Sequence, residues 1–345
     1  MLFFQYLAQR LDNPEDLIRL AEEPANGVAG VDAYLRSLEG ESSFSQMFGD
    51  WLVASLLDES GDRRYGYEDI DVSVFQLSEV GIGGTRKSDL EQYSAEYVEL
   101  AHPQGAAMLR FQGVDETPLL PTSVDPDGCW WSNRGDSISS TLTRQVDLSA
   151  VQSASLSFRI WYELEEGWDY GYVEASSDGG TTWDVLPATG TTTYDPAGNS
   201  YGHGYTGMTE GWLRAHADLS PYAGQVADIR FHYVTDDSVN GSGFCVDDIA
   251  VPEIGFEDSL QDTGWVTEGF VRTSNRVRQD YIVQVVETGA RLRVSRMELD
   301  ERNRGRFLLE AWAERDRVVV VIAPVAPKTR QATSYVLTVD AGPEP

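Results

Sequence analysis

Between residues 119 and 252 the chain is a succession of short runs in which apolar and polar residues alternate, each closed by Gly, Asp, Asn or Pro. Leu156-Ser157-Phe158-Arg159-Ile160-Trp161-Tyr162, Tyr170-Gly171-Tyr172-Val173-Glu174-Ala175 and Ala227-Asp228-Ile229-Arg230-Phe231-His232-Tyr233-Val234 show the pattern. A period of two places one side of each run on a core and the other outward. No helical period lies between the runs, so the crossovers that a parallel sheet needs are missing. Antiparallel pairing in two layers follows, and about eight such strands over ~130 residues predict a jelly-roll β-sandwich.

The flanks have different textures. Residues 1–60 carry apolar residues at helical spacing: Leu2, Phe3, Tyr6, Leu7 and Leu11, then Leu17, Ile18 and Leu20, then Val31, Tyr34, Leu35 and Leu38, then Phe44, Met47, Phe48, Trp51 and Leu52. Asn13-Pro14 separates the first two segments, with Asn13 as N-cap, and Ser43 or Ser45 opens the last. The first helix reads as if cut from something larger. Residues 61–118 hold irregular connections and two strands, 93–100 and 107–111. Residues 263–345 hold four more, among them Tyr281-Ile282-Val283-Gln284-Val285-Val286 and Val318-Val319-Val320-Val321-Ile322. The two strands before 118 lack partners of their own, so they are expected to pair with the C-terminal unit and leave 119–262 as an insertion. The expected fold is mainly β with an N-terminal α-helical segment: a jelly-roll β-sandwich plus a second, smaller β-sandwich.

Charge narrows the function. Lys and Arg total 26 against 56 Asp and Glu, a net −30. Such a surface repels phosphate backbones, so nucleic acid is excluded as a partner. No apolar run reaches the ~20 residues of a membrane span. The acid-rich, Lys-poor composition suits a salt-tolerant or secreted protein. Cys129 and Cys245 form one disulfide in an oxidising compartment or remain two buried thiols. The first and last strands of a jelly roll are neighbours, which would bring this pair together. The disulfide would close a loop worth roughly 3–5 kcal/mol in the chain-entropy model.

Catalytic signatures are missing from the sequence. The four histidines, His102, His203, His216 and His232, include no His-Glu-x-x-His motif and no i, i+4 pair. His232 sits in an apolar strand and reads as a satisfied sandwich residue. Ser176-Ser177-Asp178-Gly179-Gly180-Thr181-Thr182-Trp183 fits the Asp-box pattern, but a propeller needs one copy per blade, so the motif reads as a stabilised hairpin. Acids cluster at Asp125, Asp127 and Asp136, at Glu163, Glu165, Glu166 and Asp169, and at Asp236, Asp237, Asp247 and Asp248. Ca²⁺ takes six to eight hard oxygen ligands and offsets the mutual repulsion of carboxylates, so at least one structural Ca²⁺ is expected.

Several runs occur together in a fixed order: Cys129-Trp130-Trp131-Ser132-Asn133-Arg134-Gly135-Asp136, Glu166-Gly167-Trp168-Asp169-Tyr170-Gly171-Tyr172-Val173-Glu174, Tyr205-Thr206-Gly207, and Phe244 to Ile249. Over 119–262 this resembles the MAM-like jelly-roll module that follows the catalytic domain of immune inhibitor A-type secreted metallopeptidases. Phe3-Phe4-Gln5-Tyr6-Leu7, Gly27 to Asp32, and Phe48-Gly49-Asp50-Trp51-Leu52 resemble the helical lobe behind the zinc site of such enzymes. The resemblance implies a secreted parent that hydrolyses protein or peptide substrates with Zn²⁺, the zinc-binding segment lying upstream of this chain, so that the chain alone is inactive. It also implies Ca²⁺ in the sandwich, with Asp136, Asp169, Asp247 and Asp248 as the acids that match the motifs. The competing expectation is an extracellular adhesion or carbohydrate-binding protein whose Trp130, Trp131, Trp168 and Trp212 stack on glycans.

Overall fold

The computed structural model describes the chain apart from residues 1, 12–14, 26, 39–42, 60, 75, 102–104, 260–263, 311–314 and 343–345. The expected Asn13 cap and the expected 262/263 boundary lie outside the described residues. The chain divides into two compact units, Leu120–Asn275 and a second made of Met1–Leu119 with Arg276–Pro345. It is mainly β with helices at its N-terminal end, as its periodicities require.

In the discontinuous unit, four helices open the chain: α1 Leu2–Arg10, α2 Glu15–Ala21, α3 Gly27–Ser37 and α4 Phe44–Leu57. The Ser43 hydroxyl caps α4 by accepting the Gln46 N–H, and Asp58 ends it in a left-handed conformation. The strands Ser78–Val80, Glu96–Leu100, Arg315–Pro324, Tyr281–Gly289 and Arg293–Arg296 form one sheet in that order. Thr85–Leu90, Thr333–Ala341, Ala107–Gly113 and Arg304–Leu309 form a second. Val283, Val285, Val318, Val320 and Ile322 pack with Leu109, Phe111 and Leu337 of the second sheet. Their neighbours Ile282, Val286, Val319, Val321 and Ala323 instead pack with Phe48, Leu52 and Val53 of α4. A strand covered on both faces has no polar side, which is why the 318–322 run shows no alternation. Tyr6, Leu7, Tyr34, Leu35, Met47 and Ala54 pack the helices onto one another.

The Leu120–Asn275 unit is a sandwich of two antiparallel sheets, one of five strands and one of six. One has the order Asp184–Val185, Tyr170–Ser176, Val226–Val234, Ser139–Asp147, Val266–Glu268. The other has the order Leu213–Asp218, Ser155–Glu163, Gly243–Val251, Cys129–Trp131, Val271–Thr273, with Phe256–Glu257 pairing alongside Gly243–Val251. Most successive strands switch sheets, so neighbours within a sheet are distant in sequence, as a jelly roll requires. Leu156, Phe158, Ile160 and Tyr162 meet Ile229, Phe231 and Tyr233 across the interior. Residues 263–275 are expected in the C-terminal unit. Here Val266–Glu268 pairs with Thr141 to Thr143, and Val271–Thr273 pairs with Cys129 to Trp131, so these short strands close the edges of the sandwich. They are too short, and too exposed at Val266 and Val271, to show an apolar period.

The hairpin turn after Ser176 is organised by Asp178. Its carboxylate accepts the Thr182 N–H at 2.9 Å, the Thr182 hydroxyl at 2.7 Å and the Ser176 hydroxyl at 2.8 Å. Gly179 and Gly180 supply the left-handed φ of +70° and +83°, and the Trp183 indole N–H closes the turn on the Gly180 carbonyl. These donors, led by the Thr182 N–H, hold the Asp178 carboxyl down to about 2. A depressed folded-state value stabilises above the unfolded value near 3.8 and is lost as pH falls through about 2. The melting-temperature gap between the native chain and Asp178→Asn is therefore constant above pH 5 and closes between pH 4 and 2. A gap that does not change with pH would rule out this role for the carboxylate.

Candidate metal centre

The acids of the sandwich fall into two separate groups. In the first, the strand Ser155–Glu163 runs out into Leu164-Glu165-Glu166-Gly167-Trp168-Asp169, which turns back to start the strand Tyr170–Ser176. The Asp169 N–H bonds the Glu165 carbonyl at 3.0 Å, and Gly167 takes φ +78° to make the turn. Thr206 clamps it from outside, accepting the Gly167 N–H at 2.7 Å and donating to the Glu165 carbonyl at 3.1 Å. Asp236 follows the end of Val226–Val234, and its N–H donates to Asp169 Oδ1 at 3.2 Å. Glu165, Asp169 and Asp236 thereby each place a carboxylate oxygen within 4.8 Å of the others.

Asp169 is fully buried. Burial, reinforced by the Asp236 charge and only partly offset by the Asp236 N–H, pushes its carboxyl up to about 6. Burial and the charges of Asp236 and Asp136 raise Glu165 as well. Tyr233 is raised by burial and then by Asp169, toward which its hydroxyl points at 3.4 Å. Asp136 lies beside this group and accepts the Asn240 side-chain N–H at 2.6 Å. The donors are hard oxygens, mostly carboxylates, the set that suits Ca²⁺. They do not suit Zn²⁺, which favours nitrogen and sulfur in a tetrahedron.

The second group gathers on one basic side chain. Arg159 stands directly opposite Asp247 across the Ser155–Glu163 and Gly243–Val251 ladder. Its Nη2 donates to Asp247 Oδ2 at 2.9 Å and pairs with Asp125, and its Nε lies 2.6 Å from Asp248 Oδ2. A register shift between Asp247 and Ala250, with Asp248 at φ +49°, turns consecutive acids toward the same guanidinium. Trp212 covers that guanidinium at 5.3 Å. Of the four acids read from the motifs, Asp169 belongs to the carboxylate group, Asp136 lies beside it, and Asp247 and Asp248 engage Arg159. Glu165 and Asp236 are the members of the carboxylate group missing from that set. Both sit in acidic clusters of the sequence, but only the fold selects them from their neighbours.

Cys129 and Cys245 are joined by a disulfide with Cα atoms 5.8 Å apart and a sequence separation of 116. Cys245 is paired to Trp131 and Val246 to Trp130; the first sandwich strand thus lies between Gly243–Val251 and the last strand, Val271–Thr273. Trp131 is buried and donates its indole N–H to the Ser242 carbonyl. Trp130 donates to Asp258, whereas Trp168 is exposed.

A comparison with protein families matches residues 121–275 to the immune inhibitor A-like MAM domain. Over these residues the chain is similar to that domain family. Its sandwich, its disulfide and its carboxylate group are the features described above, and the family is the one that the sequence motifs resemble. The chain is 25% identical over 225 residues to the pre-pro-metalloprotease PrtV of Vibrio cholerae, covering 65% of this chain and 22% of that protein. It is 26% identical over 163 residues to immune inhibitor A of Bacillus thuringiensis subsp. alesti, covering 45% of this chain and 22% of the relative. Bacillopeptidase F of Bacillus subtilis is 31% identical over 101 residues, 6% of its length. The match spans less than a quarter of each of these relatives. Among the described residues, no helix is long and apolar enough to cross a membrane.

Proposed function

We propose that this chain is an accessory region of an extracellular zinc metallopeptidase, in which the MAM domain is stabilised by Ca²⁺ and the helices contribute to the wall of the substrate cleft. The match of residues 121–275 to a domain of the immune inhibitor A type carries this reading. The names of the Vibrio and Bacillus relatives support it. A disulfide is the chemistry of an oxidising compartment. The helical layer keeps an apolar groove of about 620 Å³, lined by Phe3, Phe4, Leu17, Leu20, Val31 and Phe44, which suits side chains of a protein substrate. The zinc would supply an activated water in the longer enzyme. The described residues of this chain do not fit that metal, and no step is routed through them. A chimera tests the reading: this chain replaces the matching region of the Vibrio relative. Secreted casein-degrading activity should survive the exchange and be lost when 121–275 are deleted. Equal activity with and without these residues would overturn the accessory role.

Ca²⁺ has its own test. A cation that binds only the folded chain stabilises it by about 2.7 kcal/mol at a hundredfold excess over Kd. The melting temperature of the sandwich should rise in millimolar Ca²⁺ and fall in EDTA. Asp169→Asn should abolish that rise, and should raise the melting temperature in EDTA because a buried, repelled charge is removed. An identical melt with and without Ca²⁺ would exclude the ion.

A further inference from the structure

The outward face of one sandwich sheet carries a polar constellation separate from the carboxylate group. Alternation turns Tyr172 and Glu174, Arg230 and His232, and Ser139 and Thr141 outward, while Val173, Phe231 and Leu142 enter the core. Register sets His232 between Tyr172 and Thr141, and Arg230 opposite Glu174. Ser139 Oγ lies 2.9 Å from His232 Nε2, and His232 Nδ1 lies 3.2 Å from Glu174 Oε1. An ionised carboxylate only accepts, so Nδ1 carries the ring proton and Nε2 offers its lone pair to the serine hydroxyl. Arg230 Nε donates to the other oxygen of Glu174, and the Trp183 ring covers that guanidinium at 3.9 Å. Burial pushes the Glu174 carboxyl up, but the hydrogen bonds of His232 and Arg230 outweigh it and hold it low, so it is ionised at neutral pH. Glu174 and His232 are buried and Ser139 is exposed. The acid is inside, the base between, and the nucleophile at the surface, the order that acyl transfer by serine needs.

Two further features face Ser139. The Thr235 N–H bonds the Ile138 carbonyl, so the alternation of an antiparallel ladder turns the Ser139 N–H away from Val226–Val234. On that other side, Val266–Glu268 pairs only as far as Thr141, which leaves the Ser139 N–H beyond the pairing as a donor for a developing oxyanion. Tyr201 is 59% exposed, stacks on Tyr172 at 5.3 Å and has its ring 6.2 Å from that of His232. It gives a flat aromatic surface beside the base.

We propose that Ser139, His232 and Glu174 form an acyl-transfer site on the MAM domain that hydrolyses small aryl esters of short carboxylic acids. Ser139 Oγ bonds to the acyl carbon as its proton passes to His232 Nε2. The adduct expels the phenoxide, which takes that proton. Water then loses a proton to His232 and attacks the acyl carbon, the Ser139 ester bond breaks as His232 returns that proton to Ser139 Oγ, and the carboxylic acid leaves. Glu174 is a positioning residue that fixes the imidazole through Nδ1. The site uses neither Ca²⁺ nor Zn²⁺, so it stands apart from the protease reading.

The test uses the full chain in EDTA and o-phenanthroline. A fluorophosphonate probe should label Ser139, located by peptide mass mapping, and Ser139→Ala should abolish the label and lower p-nitrophenyl acetate hydrolysis about 100-fold or more. Glu174→Gln should move the pH midpoint of labelling downward, since the imidazolium loses its carboxylate. Should that buried variant not fold, Ser139→Cys takes its place: iodoacetamide should alkylate it at pH 6 faster than it alkylates Ser139→Cys combined with His232→Gln. An unlabelled Ser139, with equal ester hydrolysis by the native chain and Ser139→Ala, would overturn the proposal.

Discussion

Replacing Cys129 and Cys245 together by Ser should lower the stability of the sandwich by about 4–5 kcal/mol, because the bond closes a loop of more than a hundred residues. Both cysteines are fully buried, at the pairing of the Cys129–Trp131 strand with the Gly243–Val251 strand. The Cys129–Trp131 strand has only three residues and holds Val271–Thr273 on its far side. Without the covalent tie, the entropy of closing that loop falls on a few ladder hydrogen bonds. Urea unfolding followed by tryptophan fluorescence gives the size directly. With a slope of about 2 kcal/mol per M, the midpoint should move down by about 2 M. A midpoint that does not move would mean that the strands hold together unaided.

Asp258→Ala should cost about 3–5 kcal/mol, the range for removing one partner of a buried charge pair. The Asp258 side chain is 2% exposed and accepts three donors: the Trp130 indole at 3.1 Å, the Trp265 indole at 2.9 Å and Arg272 Nη1 at 2.9 Å. Arg272 also lies over the Trp130 ring at 5.3 Å, so one carboxylate fixes two indoles and a guanidinium. Alanine takes the acceptor away from three partly buried donors. Asp258→Asn should recover part of the loss by accepting one indole N–H, which separates lost charge from lost packing. Chemical denaturation of the three proteins ranks them. A loss below about 1 kcal/mol for alanine would mean that water replaces the carboxylate.

The alternation of residues such as Leu156, Phe158 and Ile160 depends only on which side of a strand meets the core, so the fold class is legible without coordinates. The motif order around Trp130, Trp168 and Phe244 is equally local, and the family followed from it. Partnership among charges is not local. Asp247 and Asp248 fit a cation motif as well as Asp169 does, until the ladder sets Arg159 opposite Asp247, 88 residues away in sequence. Glu165 and Asp236 lie 71 residues apart and converge only because the turn after Glu163 and the end of Val226–Val234 meet at one edge of the sandwich. His232 looks like an ordinary strand residue in sequence, and its hydrogen bonds to Ser139 and Glu174 come from two different neighbouring strands.

The sequence by itself determined that this chain builds antiparallel layers behind a helical start, and which family its central domain resembles. Both are written in short-range periodicity and local motif, which the backbone geometry of each segment reads one stretch at a time. The tertiary structure decided which carboxylates face one another and which face an arginine. It also brought Val266–Glu268 and Val271–Thr273 to the sandwich edges. Those outcomes depend on strand register, where a slip of one residue sends each side chain to the opposite face, and register is fixed by the packing of the whole sheet.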